Sequence, residues 1–338
     1  MSYITTDNLT NIMAEMTDYC NAACPMCNRF DWDLNLVKGV TNAHHTTLEF
    51  VKQRIGDEII SRLKGWVCQG TYGDAVMNPE TIDIFKYLKE INPNINISMI
   101  TNGGTRTTDF WKTLAELDVN VTFSIDGLES TNHLYRRNIK WTRLMDNVNA
   151  FIGNGGKAVW SFLVFKHNQN QIEDAEKLSK DLGFKDFQSA FSERWQDFNS
   201  EGEYRDITSF EVDDYVIEKP EQQKEDFIKT DGELVSSKNV FQTEDKKDFY
   251  TRKISCWACQ PTKREIYLRA NGYVSPCCIL GDVERNEPKQ LIKNYKNINL
   301  HHTDLKTILE GKFFRDISEG INGGEKRLQG CYHACGVK

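Results

Sequence analysis

No stretch of this sequence approaches the ~20 apolar residues needed to cross a bilayer. Its first residues, Met1 to Asp7, carry neither a basic segment nor a long apolar run. The expectation is a chain without a signal peptide or membrane anchor, working in the cytoplasm. Basic charge is in short supply as well: 42 Lys and Arg stand against 49 Asp and Glu. No Lys/Arg stripe alternates with aromatic residues, which argues against nucleic-acid binding, where a basic face must meet the phosphates. Internal repeats are lacking, and Gly153-Asn154-Gly155-Gly156 has no strand-then-helix setting, so it reads as a turn and not a dinucleotide loop.

What is present is cysteine, and it is clustered. Nine of the ten cysteines fall into two groups: Cys20, Cys24 and Cys27, then Cys256, Cys259, Cys277, Cys278, Cys331 and Cys335. In a chain read as cytoplasmic, such spacing points to metal and not to disulfides. The tenth, Cys68, lies inside an expected strand and reads as a small buried apolar residue. Three thiolates spaced Cys20-x3-Cys24-x2-Cys27 can each hold one iron of a [4Fe–4S] cube and leave the fourth iron open. A zinc knuckle is the alternative reading of this group.

Length and composition suit two domains. The 338 residues, 39% hydrophobic and 27% charged, describe a globular chain that can enclose a barrel-sized core and a smaller second unit. Short β-branched or aromatic runs at 12–17, 66–70, 95–100, 119–124, 159–165 and 184–189 read as buried parallel strands. Helical periodicity fills 47–63, 79–91, 109–117, 142–151 and 171–182, with Pro79 opening its helix. Six βα units imply a parallel sheet with right-handed crossovers, and six strands are too few for a closed eight-stranded barrel. Residues 192–253 hold 17 acidic against 10 basic side chains, a balance of −7 that equals the net charge of the whole chain. This stretch reads as a solvated linker or insertion. Beyond it, 266–270 and 273–276 read as a hairpin turning across Asn271-Gly272, followed by a helix from about 303 to 318.

The first cysteine group resembles that of the radical S-adenosylmethionine (radical SAM) enzymes, with apolar Met26 before the last cysteine. Further motifs carry the resemblance. Tyr72-Gly73-Asp74 stands where the family has Gly-Gly-Glu, keeping the carboxylate but not the first glycine. Thr101-Asn102-Gly103 follows the third strand. Ser124-Ile125-Asp126-Gly127, with His133 and Arg137 downstream, is similar to the family's Ser-x-Asp-Gly and His-x-x-x-Arg stretch. The resemblance implies an α/β fold of partial (β/α)6 barrel type with ligands at the C-terminal strand ends. It implies a core cluster on Cys20, Cys24 and Cys27, and S-adenosylmethionine (SAM) contacts from Met26, Tyr72, Gly73, Asp74, Asn102, Ser124, Asp126 and Arg137.

The C-terminal group resembles the twitch domain, the shorter relative of the SPASM domain. Cys259 is followed by twelve residues, Gly272, four residues and Cys277, and Cys256 fits the same window. The later cysteine set of a full SPASM domain is missing, so one auxiliary [4Fe–4S] cluster is expected. Its ligands are read as Cys259, Cys277, Cys331 and Cys335, with Cys256 and Cys278 as alternates; a four-thiolate zinc ribbon is the other reading. The domains are therefore drawn as 1–191, 192–253 and 254–338.

The implied activity is reductive cleavage of SAM to a 5′-deoxyadenosyl radical that takes hydrogen from a small-molecule or nucleotide substrate. A flavodoxin or ferredoxin-type reductant is implied, and the auxiliary cluster acts as electron acceptor or substrate ligand. A peptide-modifying maturase is the alternative, weakened because no winged-helix leader-peptide segment is evident. A non-catalytic, metal-stabilised binding module is the alternative from another class, and the three intact cysteines speak against it. His167, after the fifth strand, reads as capping the next loop. The pairs His44-His45 and His301-His302 read as surface residues.

Overall fold

The computed structural model describes residues 4–31, 34–192, 195–198, 204–206, 208–212, 215–221, 254, 256, 264–281, 291–323, 326–328, 331 and 335. All six expected strands are present: β1 (Asn11–Ala14), β2 (Gly65–Cys68), β3 (Asn96–Thr101), β4 (Val119–Ser124), β5 (Lys157–Val164) and β6 (Asp186–Phe191). Each pairs in parallel with the next. Alternation places them: Ala158, Trp160, Phe162 and Val164 of β5 are buried while the residues between are not. Strands buried on one or both faces bring their C-terminal ends to one edge, and that edge carries every motif loop.

The connecting helices are α1 (Leu48–Arg54), α2 (Asp57–Ile60), α3 (Thr81–Ile91), α4 (Thr108–Glu116), α5 (Asn132–Tyr135), α6 (Trp141–Gly153) and α7 (Ile172–Leu182). The single helix expected over 47–63 is broken at Gly56, whose φ of 78° is left-handed and ends one helix before the next begins. Pro79 lies just before α3 and not at its first position, since Glu80 is the N-cap.

The largest departure from the expected layout is at the other edge of the sheet. The C-terminal hairpin is not separate: β11 (Glu265–Leu268) lies parallel against β1, and β12 (Val274–Ser275) pairs antiparallel to β11. Among the described residues the sheet therefore has eight strands in the order β12-β11-β1-β2-β3-β4-β5-β6. The hairpin turns over three residues, Ala270 to Gly272, and not across a two-residue Asn271-Gly272 turn. Arg269 N donates to Tyr273 O at 2.9 Å, and Gly272 takes φ 87°, the loop type that ends in a left-handed residue. The helix expected near 303–318 is two, α8 (Leu305–Leu309) and α9 (Lys312–Ile321), separated at Gly311.

The acidic stretch is not featureless where it is described. Strands β7 (Gln196–Phe198) and β8 (Tyr204–Asp206) form one antiparallel pair, and β9 (Ser209–Val212) and β10 (Tyr215–Glu218) another. Phe210, Val212 and Ile217 of the second pair, with Trp195, are buried against the barrel core, and Lys166 N donates to Glu218 O at 3.1 Å. No helix among the described residues is long and apolar enough to cross a membrane.

Candidate active site

The chain leaves β1 through Glu15, Met16 and Thr17 into the cysteine loop. Ala22, Cys24 and Met26 are buried there, and Cys20 and Cys27 are half-buried. The loop is held in shape by Cys27 N to Cys24 O at 3.1 Å, Ala23 N to Arg137 O at 3.2 Å, and Ala22 N to the Cys20 sulfur at 3.4 Å. All three thiols are free. Burial pushes the Cys20 thiol well up and the Cys24 thiol up to about 11, the Arg136 guanidinium pulling the latter back. Thiols in such surroundings become thiolates only when a cation compensates them, and soft sulfur donors suit iron. Among the described residues no three His, Cys, Asp or Glu side chains converge on one ion position. A cube asks less of its thiolates, each of which meets a different iron.

The second and third strand ends are joined by one carboxylate. Asp74 is buried, and its Oδ2 accepts from Thr101 Oγ1 at 2.9 Å, Asn102 N at 2.9 Å and Asn102 Nδ2 at 2.7 Å. Its Oδ1 accepts from Val76 N at 3.2 Å. Burial raises its pKa against the Asn102 N, Thr101 and Val76 hydrogen bonds and the Arg136 charge. Asn102 also reaches the cysteine loop, with Nδ2 at 3.0 Å from Asn21 Oδ1 and 3.5 Å from the Cys20 sulfur. Gly73 is required by proximity: a Cβ there would stand 2.1 Å from the Thr17 carbonyl oxygen. The tyrosine at position 72, where the family has glycine, is accommodated in a small apolar cluster. It packs with Val37, Val40 and Tyr267.

At the end of β4, Ser124 and Asp126 are buried. Asp126 Oδ1 accepts from Leu163 N at 2.7 Å and Oδ2 from Arg136 Nε at 2.5 Å. The basic side chain aimed at the cysteine loop is thus Arg136, with Nη1 3.7 Å from the Cys24 sulfur. Arg137, the arginine that the resemblance implies, supports the loop through its backbone carbonyl. The helix containing His133 stops at Tyr135, and Arg136 leaves helical geometry at ψ 61°.

Sequence reasoning also missed Glu15, which reads as an ordinary strand residue. It is buried, accepting from Thr71 N, Tyr72 N and Tyr267 OH at 2.8, 3.2 and 2.9 Å. The loop-capping role expected of His167 belongs to Asn168, whose side chain bonds Phe165 N, Asp126 O and Leu163 O. His44 is partly exposed, with its Nδ1 2.7 Å from Asp18 Oδ2.

In the C-terminal part, Cys277 from the end of the hairpin, Cys331, Cys335 and Cys256 line one pocket walled by Ile254, Leu280 and Ile317. Cys277, Cys331 and Cys335 are free thiols, and Cys256 is disulfide-bonded. Burial raises the Cys277 thiol, and the neighbouring sulfurs of Cys278, Cys331 and Cys335 raise it further. Cys278 does not line the pocket; it packs against the Tyr72–Tyr267 cluster and feels Glu265 and Glu15. Cys259 lies outside the described residues. A dry pocket lined by sulfurs from three distant segments fits an iron–sulfur cluster.

Comparison with known proteins agrees with this arrangement. A family model described as the Radical SAM superfamily matches residues 14–182, and one named SPASM, an iron–sulfur cluster-binding domain, matches residues 239–336. Among solved structures, Streptococcus suis SuiB bound to S-adenosylmethionine is similar with a TM-score of 0.61 at 14% identity, over 96% of this chain and 73% of that one. SuiB bound to the precursor peptide SuiA matches at TM-score 0.58 and 11% identity, over 96% and 70%. The protein anSMEcpe with bound AdoMet matches at TM-score 0.55 and 14% identity, over 97% and 84%. Identities this low speak for the fold. No curated protein gives a significant match.

Proposed function

Because the chain belongs to the radical SAM superfamily and carries a SPASM domain, with the [4Fe–4S] clusters and SAM those domains imply, we propose that it is a radical enzyme with an auxiliary cluster. The observation that carries the reading is convergence: Cys20 and Cys24, Asp74, Asn102 and Arg136 come from four segments to the same edge of the sheet. Cys20, Cys24 and Cys27 are the proposed ligands of the core cluster. The chemistry such a cluster supplies when bound is one-electron reduction of the SAM sulfonium, giving methionine and a 5′-deoxyadenosyl radical able to take hydrogen from an unactivated C–H bond.

The protein's part is orientation and exclusion of water. Asp74 holds the second and third strand ends together, leaving the backbone of Tyr72, Gly73 and Asp74 as the surface for the methionine end of SAM. Asp126 fixes Arg136, and Arg136 braces the cysteine loop. Ser124, Asp126 and Met26 complete the proposed SAM surroundings, and Arg137 contributes through its backbone. Cys277, Cys331 and Cys335 are proposed to hold the auxiliary cluster, with a fourth thiolate from Cys259, or from Cys256 once its disulfide is reduced. Four protein ligands leave no open iron, which supports electron transfer over substrate binding.

The substrate is a small molecule, a nucleotide or a peptide. The likeness to SuiB, whose structure includes a precursor peptide, supports the peptide reading. The electron source is a flavodoxin or ferredoxin-type protein. Iron and zinc analysis of anaerobically reconstituted protein tests the scheme, together with 5′-deoxyadenosine formation from SAM and dithionite. Zinc in place of iron, or no 5′-deoxyadenosine, would overturn it.

A further inference from the structure

Arg269 follows β11 directly, and because β11 runs parallel to β1 it stands at the edge that carries the cysteine loop. Its residue is only 3% exposed. The guanidinium lies over the Tyr72 ring, 4.6 Å from its centroid, and Nη2 donates to Gly39 O at 3.3 Å. The remaining arm, Nη1, is buried without a hydrogen-bond partner among the described residues. Arg269 lines a small, solvent-open pocket bordered by Glu15, Asp18, His44 and Tyr72.

Two carboxylates border this pocket, and neither serves the arginine. Glu15 is taken up by Thr71, Tyr72 and Tyr267. Asp18 accepts from Thr41 N and Oγ1 at 2.8 and 3.2 Å and from His44 N and Nδ1 at 2.9 and 2.7 Å. A guanidinium cannot shed its proton, so a desolvated arm without a partner is costly to keep. An incoming anion removes that cost. The flat N–H pair matches a carboxylate oxygen, and the nearby acids disfavour a doubly charged phosphate, since like charges in a desolvated site repel strongly. The pocket is bordered by Thr17 and Asp18 at the start of the cysteine loop and by Ala270 and Asn271 at the hairpin turn.

We infer that Arg269 binds a carboxylate of the substrate, which makes the substrate a carboxylic acid: a peptide C-terminus, an acidic side chain or a small organic acid. The assignment of that carboxylate to a substrate rests on the radical SAM reading above. The test is calorimetric titration of N-acetylglycine, with N-acetylglycinamide as the neutral control, into reconstituted protein with and without saturating SAM. The acid is expected to bind in both conditions and the amide in neither. Arg269→Gln should weaken the acid at least tenfold and Arg269→Lys less, at wild-type iron content and circular dichroism.

Equal binding of acid and amide by the wild type overturns the proposal and needs no variant. So does acid binding that Arg269→Gln leaves unchanged. Acid binding that SAM abolishes, with SAM itself bound tenfold more weakly by Arg269→Gln, would assign the arginine to the SAM carboxylate and overturn the substrate claim. Failure of the radical reading registers elsewhere, as no 5′-deoxyadenosine from the wild type, while the titration result stands.

Discussion

The Nη1 of Arg136 stands 3.7 Å from the Cys24 sulfur while its Nε bonds Asp126 at 2.5 Å, so one guanidinium ties the end of β4 to the cysteine loop. A positive group beside a ligating thiolate favours the more negative, reduced state of a cluster. Arg136→Gln should therefore lower the core-cluster reduction potential, read by an EPR-monitored redox titration, with Arg136→Lys lying between. The variant also leaves Asp126 buried without its partner, a loss of about 3–5 kcal/mol for a broken buried pair. Urea unfolding measures that part. An unchanged potential would separate Arg136 from the cluster and leave it a structural residue.

The two cysteine groups predict an iron count. Wild-type protein reconstituted without oxygen should hold about eight irons as two cubes, and the Cys20/Cys24/Cys27 triple alanine variant about four. Cys24→Ala alone should abolish 5′-deoxyadenosine formation. A variant that loses all its iron while both proteins retain one zinc would make the C-terminal pocket a structural zinc site.

Legibility followed locality. The six parallel strands were readable because Val119–Ser124 and its counterparts are dense in β-branched and aromatic residues bounded by turns. The pairing of β11 with β1 was not, since Ile12 and Ile266 meet across most of the chain, and nothing in either segment names its neighbour. Asp74 and Asn102 were recognisable from motif order, but their mutual bond depends on where two loops converge. Glu15 was invisible for a similar reason: its acceptors are satisfied by Thr71 and Tyr72 from the loop after β2 and by Tyr267 from β11. The placing of Arg136 beside Asp126 and Cys24 was not legible either, because it joins the stretch after β4 to the cysteine loop more than a hundred residues away.

Asp74 offers a test of how the second and third strand ends are held. Asp74→Ala orphans the Asn102 amide and the Thr101 hydroxyl, both buried, at roughly 1–3 kcal/mol for each unsatisfied group. Asp74→Asn retains an acceptor and should cost less. Equilibrium dialysis with SAM should show weaker binding in the order wild type, Asn, Ala, with urea midpoints falling in the same order. Equal SAM affinity in all three would detach this carboxylate from SAM binding.

His167 gives the protein a dependence on pH that can be isolated. Its ring stacks on Phe165 at 5.5 Å and meets Tyr215 edge-on at 5.7 Å, with neither nitrogen hydrogen-bonded among the described residues. Burial, with a smaller contribution from His133, pushes its pKa from the ordinary 6.5 down to about 4. Between those values the unfolded chain binds a proton that the folded protein refuses. Stability is thus full above about pH 6.5 and declines as pH falls toward 4, by at most about 1.4 kcal/mol per pH unit from this one group. Phenylalanine keeps the stacking and removes the titration, so urea unfolding of His167→Phe from pH 7 to pH 5 should lose less stability than the wild type. Identical losses would mean that His167 is protonated in the folded state.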